Sequence, residues 1–185
     1  PPTADVTARC LACLARLGRA QDAGAVARGL AFLRGQQEGD GSWFGRWGTN
    51  HIYGTWSALW GLSELGLGAG DPAVAGGVRF LLAAQRADGG WGEDGLTYHA
   101  AHRGFARAST PSQTAWALLG LMAAGLADHP AVARGVRWLA EAPADGPFWD
   151  EPWHTGTGFP RVFHLRYRGY PAYFPAWALA RWLRR

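Results

Sequence analysis

One repeated spacing limits what this chain can fold into more than any other feature. Gln37, Gly41 and Trp43 form a Gln-x-x-x-Gly-x-Trp unit, and Gln85, Gly89 and Trp91 repeat it with the same internal spacing 48 residues later. Each unit follows a similar apolar stretch, Arg28-Gly29-Leu30-Ala31-Phe32-Leu33 in the first and Gly77-Val78-Arg79-Phe80-Leu81-Leu82 in the second. A third such stretch, Arg134-Gly135-Val136-Arg137-Trp138-Leu139, leads to Asp145-Gly146-Pro147-Phe148-Trp149, where Pro143 stands in place of the glutamine. Self-similarity at a fixed period marks one supersecondary unit stacked on its neighbours.

Between the repeats, apolar residues recur at helical spacing. Val6, Cys10, Cys13, Leu14 and Leu17 define a first helix, Asp5 to Leu17, closed by Gly18. Cys10 and Cys13 read as core thiols, because a redox or zinc role needs a βαβ setting or a second pair. Asp22 is expected to cap a second helix, with Val26, Leu30 and Leu33 on one face. A third helix covers Ile52 to Leu65, and Asp71-Pro72 opens a fourth that reaches Gln85. Thr110-Pro111-Ser112-Gln113 is a capping box before a helix from Thr114 to Ala124. Asp128-His129-Pro130 starts the sixth, and Pro175 belongs to the first turn of a last helix ending near Leu183. Residues 92 to 108 read as loop, and His99 and His102 within it have no third metal ligand in view. No segment alternates with period two, so strands are not expected.

Seven helices in antiparallel pairs joined by Gly-Trp turns predict an all-α fold, an arc of an α/α toroid that is part of an (α/α)6 barrel. One helix of each pair lies inside and one outside. Seven helices do not close such a ring, and the chain opens on Pro1-Pro2 rather than Met. The arc leaves an apolar edge, so the rest of the ring is expected from chain outside these residues or from a partner.

Eleven Trp, eight Phe and five Tyr are more aromatic surface than a core of 185 residues demands. All eighteen basic residues are Arg, spread over the helices apart from Arg181, Arg184 and Arg185. A net charge of +4 distributed this way argues against nucleic acid and fits an anionic membrane surface better. Phe159, Phe163, Tyr167 and Tyr170 are spaced by four, four and three, so a helical path would set them on one face, although Pro160 and Gly169 interrupt a regular helix. Gly156-Thr157-Gly158 turns the backbone toward a cavity, and Trp47 and Tyr53 crowd the segment behind the first repeat. Aromatic faces stabilise a cation by about 0.5 to 2 kcal/mol each when water is excluded. Several rings around one pocket suit a carbocation, which a nucleophilic side chain would trap.

DGSWFGRWG at 40 to 48, IYGTW at 52 to 56, DGGWGED at 88 to 94, PSQTAWALLGL at 111 to 121 and GTGFPRVF at 156 to 163 carry a likeness that covers nearly the whole chain. Together with the repeats they resemble the C-terminal third of the squalene-hopene cyclases. The resemblance implies a class II triterpene cyclase with no cofactor and no metal. In such an enzyme an aspartic acid protonates the terminal alkene of squalene, a polyene cascade closes the rings, and the last cation loses a proton or captures water. It further implies that Trp47 and Tyr53 lie along the cavity, that Phe159 and Phe163 face the later cations, and that Tyr167 and Tyr170 line the part nearer the early rings. Gln37, Gln85, Trp43 and Trp91 would stiffen the barrel. The family's acid sits in an Asp-x-Asp-Asp motif that this chain does not contain, so the donor is expected upstream, with Asp5 and Arg9 beside it. Arg9 stands where the family's best-known form has a proton-relaying His. Partners implied in the same way are the remainder of the cyclase chain, the membrane surface at the cytoplasmic face as a peripheral or monotopic protein, and a homodimer. A non-catalytic toroid that binds an isoprenoid or a partner protein, and an oxidosqualene-type cyclase, are the other readings.

Overall fold

Side-chain caps open three of the seven α-helices in the computed structural model, which describes residues 2–142, 144–145 and 148–185. Pro1 and, in the third repeat, Pro143, Gly146 and Pro147 lie outside the described residues. The helices are α1 (Ala4–Leu17), α2 (Ala23–Gly35), α3 (His51–Glu64), α4 (Pro72–Ala83), α5 (Pro111–Ala123), α6 (Pro130–Glu141) and α7 (Tyr170–Leu183). Asp71 Oδ1 accepts from the N–H groups of Ala73 and Val74 at 2.9 and 3.3 Å, Thr110 Oγ1 from Gln113 N at 3.3 Å, and His129 Nδ1 from Ala131 N at 3.1 Å. Each cap precedes a proline, whose missing N–H is harmless in a first turn. Asp22, expected to cap α2, instead pairs with Arg19 Nε at 2.7 Å.

Helices α1, α3, α5 and α7 pack side by side in that order, and α2, α4 and α6 each lie against the helix before them. This is the expected two-layer arc. Inner helices α3 and α5 are buried on nearly every side, which is why their sequences read as apolar all round.

The two complete repeat turns are geometrically alike. Trp43 Nε1 donates to Leu33 O, and Trp91 Nε1 to Leu81 O, both at 2.7 Å, so each indole reaches a last-turn carbonyl two residues before its outer helix ends. Gln37 Nε2 bonds Gly41 O and Ala73 O at 2.9 Å, and Gln85 Nε2 bonds Gly89 O and Ala131 O at 2.8 Å. The glutamines thereby tie the end of one outer helix to the first turn of the next. Gly41 and Gly89 hold φ of 92° and 91°, a conformation that a side chain would strain. The Trp rings rest on glycines of the following outer helix: a Cβ at Gly77 would come within 3.0 Å of Trp43, and one at Gly135 within 2.6 Å of Trp91. In the third repeat Trp149 Nε1 still reaches Leu139 O at 2.7 Å.

Besides the Asp22 cap, three expectations fail here. Cys10 and Cys13 are exposed, as are Val6 and Leu17 at 44% and 52%; α1 instead buries Ala4, Asp5, Ala8, Leu11 and Ala12. Small residues win because they let the backbones close up: a Cβ at Gly61 of α3 would sit 2.6 Å from Ala8 O. Pro175 lies inside α7 rather than in its first turn, since the helix already begins at Tyr170. Strands do occur: β1 (Ala144–Asp145) pairs with β2 (Phe148–Trp149), and β3 (Gly156–Phe159) with β4 (Phe163–Leu165), both antiparallel.

If the repeat contacts hold the arc together, Gly135→Ala should lower stability by about 1–3 kcal/mol by pushing on the Trp91 ring. Gly35→Ala, with open space around its Cβ, should raise it by about 0.4–1 kcal/mol. Urea midpoints of the two variants check both signs.

Candidate functional site

The inner helices are tied together at their N-terminal end by buried polar groups. Asp5, fully buried in the first turn of α1, accepts the N–H groups of Arg46 and Trp47 on Oδ2 at 2.9 Å each, and the N–H of Val6 on Oδ1 at 2.9 Å. Glu93 accepts from Asn50 N at 3.2 Å, Ile52 N at 3.0 Å and His51 Nδ1 at 2.9 Å, closing the start of α3. Glu151 does the same for α5, accepting from Ser112 N at 2.8 Å and from the hydroxyls of Ser112 and Thr155 at 2.9 Å. Gln113 does not close its capping box; its Nε2 donates to Thr49 O and Glu93 O at 2.9 Å.

These ties fix segment 44–50, and β3 is laid along it. Gly48 bridges Gly156, Thr49 N donates to Thr155 O at 2.8 Å and Thr157 N to Trp47 O at 3.3 Å. Phe159 and Phe163 are therefore cross-strand partners on a hairpin whose turn contains Arg161 at φ 70°, not residues one helical turn apart. Their rings meet edge to face, with centroids 5.5 Å apart. They remain 57% and 43% exposed, and Trp47 is 46% exposed. Glycine backbone is what the rings lie on: a Cβ at Gly158 would come within 2.3 Å of Phe163, and one at Gly156 within 2.5 Å of Tyr167.

Two aromatic groups result. Trp47, Phe159 and Phe163 form one, with the Arg46 guanidinium 4.5 Å from the Trp47 ring centroid and 5.3 Å from that of Phe159. The second is deeper. Tyr53 is buried against Trp116 at 4.9 Å, Trp116 meets Tyr170 at 5.7 Å, and Tyr170 stacks on the exposed Tyr167 at 4.7 Å. Arg9 lies 4.8 Å above Trp56 and donates from Nη2 to Tyr53 Oη at 3.1 Å; no carboxylate partner of Arg9 occurs among the described residues. Burial pushes the Tyr53 hydroxyl above its ordinary pKa despite the Arg9 charge, and burial does the same to Tyr170. Both hydroxyls therefore stay neutral at physiological pH.

The six aromatic residues singled out in the sequence thus fall into two groups, with Trp47, Phe159, Phe163 and Tyr167 exposed and Tyr53 buried. A hollow of about 390 Å³ lies elsewhere, among Glu93, Asp94, His99, Arg107, Trp153 and His164. Residues missed from the sequence are Arg46, Trp116, Tyr173 and Phe174, and the capping carboxylates Glu93 and Glu151. Tyr173 and Phe174 are three and four residues beyond Tyr170, a spacing that places them beside it on α7.

The sequence comparisons point to one family, and the structural comparison to a fold. Residues 1–184 match the squalene-hopene cyclase C-terminal domain. The chain is 55% identical over 184 residues to the probable squalene–hopene cyclase of Sinorhizobium fredii, and 54% identical over 184 residues to the squalene–hopene cyclase of Bradyrhizobium diazoefficiens. Each alignment covers 98% of this chain and 28% of the relative, so the chain spans little more than a quarter of the length of these relatives. The ent-copalyl diphosphate synthase of Streptomyces platensis superposes with a TM-score of 0.70 over 99% of this chain and 33% of that chain; at 23% identity this shows the shared toroid fold alone.

The two capping glutamates should respond oppositely to pH. For Glu93, burial acts to raise the pKa, but the His51 hydrogen bond and the N–H donors outweigh it and hold the carboxyl below its ordinary value. Its stabilisation is then present above about pH 4.3 and lost as the pH falls below that. For Glu151 burial wins over the Ser112 and Thr155 donors and raises the pKa, so its contribution is fullest at low pH and declines as the pH rises through the raised value. Glu93→Gln is expected to cost about 1–3 kcal/mol at pH 7 and to flatten the acid limb of stability, with Glu151→Gln close to neutral. Urea midpoints read from pH 7 down through and below about pH 4.3 separate them.

Proposed function

Because the chain belongs to the squalene-hopene cyclase family, we propose that it is the C-terminal portion of a triterpene cyclase that converts squalene to hopene or hopanol. The chain supplies aromatic wall and not the initiating acid. A proton from an Asp-x-Asp-Asp carboxylic acid elsewhere in the cyclase adds to the terminal alkene of squalene. Each alkene in turn gives its π electrons to the cation before it, forming a carbon–carbon bond and moving the positive charge onward. The last cation returns a proton to solvent or base, or takes up water and then loses a proton. By itself the chain has no means to start this sequence and is inactive.

Within that scheme Trp47 and Tyr53 lie along the cavity, Tyr167 and Tyr170 line the region of the early rings, and Phe159 and Phe163 meet the later cations. Asp5 acts through backbone, holding residues 46 and 47, and Arg9 holds Tyr53 and Trp56 beside the acid. The observation that carries the reading is the Phe159–Phe163 pair, two exposed rings held 5.5 Å apart on glycine-backed strands with ring surface unused by the domain's own core. The readings as a non-catalytic toroid or an oxidosqualene cyclase are not favoured by the relatives. Squalene partitions into lipid, so the cyclase is proposed to attach to the cytoplasmic face of the membrane as a peripheral or monotopic protein. No helix among the described residues is long and apolar enough to cross a membrane.

In a full-length cyclase carrying this domain, Phe159→Ala and Phe163→Ala should each reduce complete cyclisation about 2- to 30-fold and yield products terminated at earlier rings. Product analysis showing wild-type yield and no early-terminated rings in both variants would remove the reading.

A further inference from the structure

Arg46 lies over the Trp47 and Phe159 rings, and the reading above gives it no task. Its backbone N–H is fixed by Asp5 Oδ2 at 2.9 Å, and Asp5 is fully buried, so the residue starts from a rigid point. From there its Nη1 donates to Gly158 O at 2.6 Å, the carbonyl one residue before Phe159. The planar guanidinium lies between two rings, 4.5 Å from the Trp47 centroid and 5.3 Å from the Phe159 centroid. This one side chain therefore joins the α1-anchored segment to the hairpin, at the place where the hairpin register shifts between Thr157 and Phe159. A bulged position lacks regular ladder bonds to define it, so the Arg46 bond there supplies what the pairing omits. Arg suits the task and Lys does not, because only a flat fork donates in its plane while stacking rings on its faces.

We propose that Arg46 is a positioning residue that sets the orientation of the Phe159 ring, and through that ring the extent to which cyclisation runs to its last closure. The proposal rests on the cavity reading given above. With Arg46 over the Phe159 ring and Phe163 against it, the exposed remainder of the ring is the approach left to a substrate cation. Arg46 acts on the reaction through Phe159 and touches no reacting atom, so its effect must vanish when that ring is absent.

The test is a double-mutant cycle in the full-length cyclase, reading the ratio of completely cyclised to early-terminated products, with thermal midpoints recorded alongside. Arg46→Met keeps the aliphatic stem and is expected to lower the ratio about 2- to 5-fold, the worth of an exposed cation–π contact. Arg46→Lys, which retains a donor for Gly158 O but loses the flat fork, is expected to lower it about 2-fold and serves if the Met variant does not accumulate. Adding Arg46→Met to Phe159→Ala should leave the Phe159→Ala ratio unchanged. A wild-type ratio in both Arg46 variants, with Phe159→Ala still shifting products, overturns the proposal and leaves the cavity reading standing. An equal further drop in the double variant also overturns it, because Arg46 would then act independently. A wild-type ratio in Phe159→Ala overturns the proposal, and a wild-type ratio in Phe163→Ala as well removes the cavity reading with it.

Discussion

The hydrogen bond from an indole N–H to a helix carbonyl ten residues earlier is what the rest of the structure depends on. Outer helices end with carbonyls that have lost their intrahelical partners. In all three repeats the Trp side chain reaches the last-turn carbonyl two residues before the helix end, at 2.7 Å each time. That bond fixes the direction in which the chain leaves the helix. The large ring then presses on a glycine of the next outer helix, and the glutamine reaches that helix's first turn. One turn therefore sets the spacing between consecutive helix pairs. In the third copy Trp149 keeps its bond to Leu139 O, although the sequence there has Pro143 at the glutamine's position.

Regular spacing brings the starts of α1, α3 and α5 to one end, where Asp5, Glu93 and Gln113 link them. The candidate site is built on segments that this end holds rigid: residues 44–50 and the β3–β4 hairpin. Loops carried on a fixed scaffold are where binding and catalytic side chains concentrate, and a site is only as well defined as the groups behind it. Asp5 illustrates the division of labour. Its carboxylate is spent on backbone N–H groups, and what it contributes to chemistry is the placement of Trp47 and Arg46.

Helices with proline-marked caps were legible in the sequence to within a few residues, because Asp71, Thr110 and Pro130 act locally and need no tertiary partner. The repeat was legible for the same reason. Errors arose where two structures share one spacing. Residues four apart meet on a helix, and they also meet across a hairpin with a three-residue turn, so Phe159 and Phe163 gave the right pair on the wrong backbone. In α1 the stripe of larger apolar residues suggested the buried face, yet close approach to Gly61 favoured Ala8 and its small neighbours. Arg46 was not legible at all: its partners lie 112 residues away at Gly158 and next door at Trp47, and a single sequence carries no sign of the first.

The central claim is that Phe159 and Phe163 offer their ring faces to positive charge. The most direct measurement compares the inhibition constants of a protonated tertiary-amine isoprenoid and its neutral carbon isostere, in the full-length cyclase and in its Phe159→Leu and Phe163→Leu forms. Leucine keeps apolar bulk and removes only the ring potential. The account predicts that the preference for the cation falls about 2- to 30-fold with each substitution while the neutral compound binds nearly as before. An undiminished preference in both variants would contradict it.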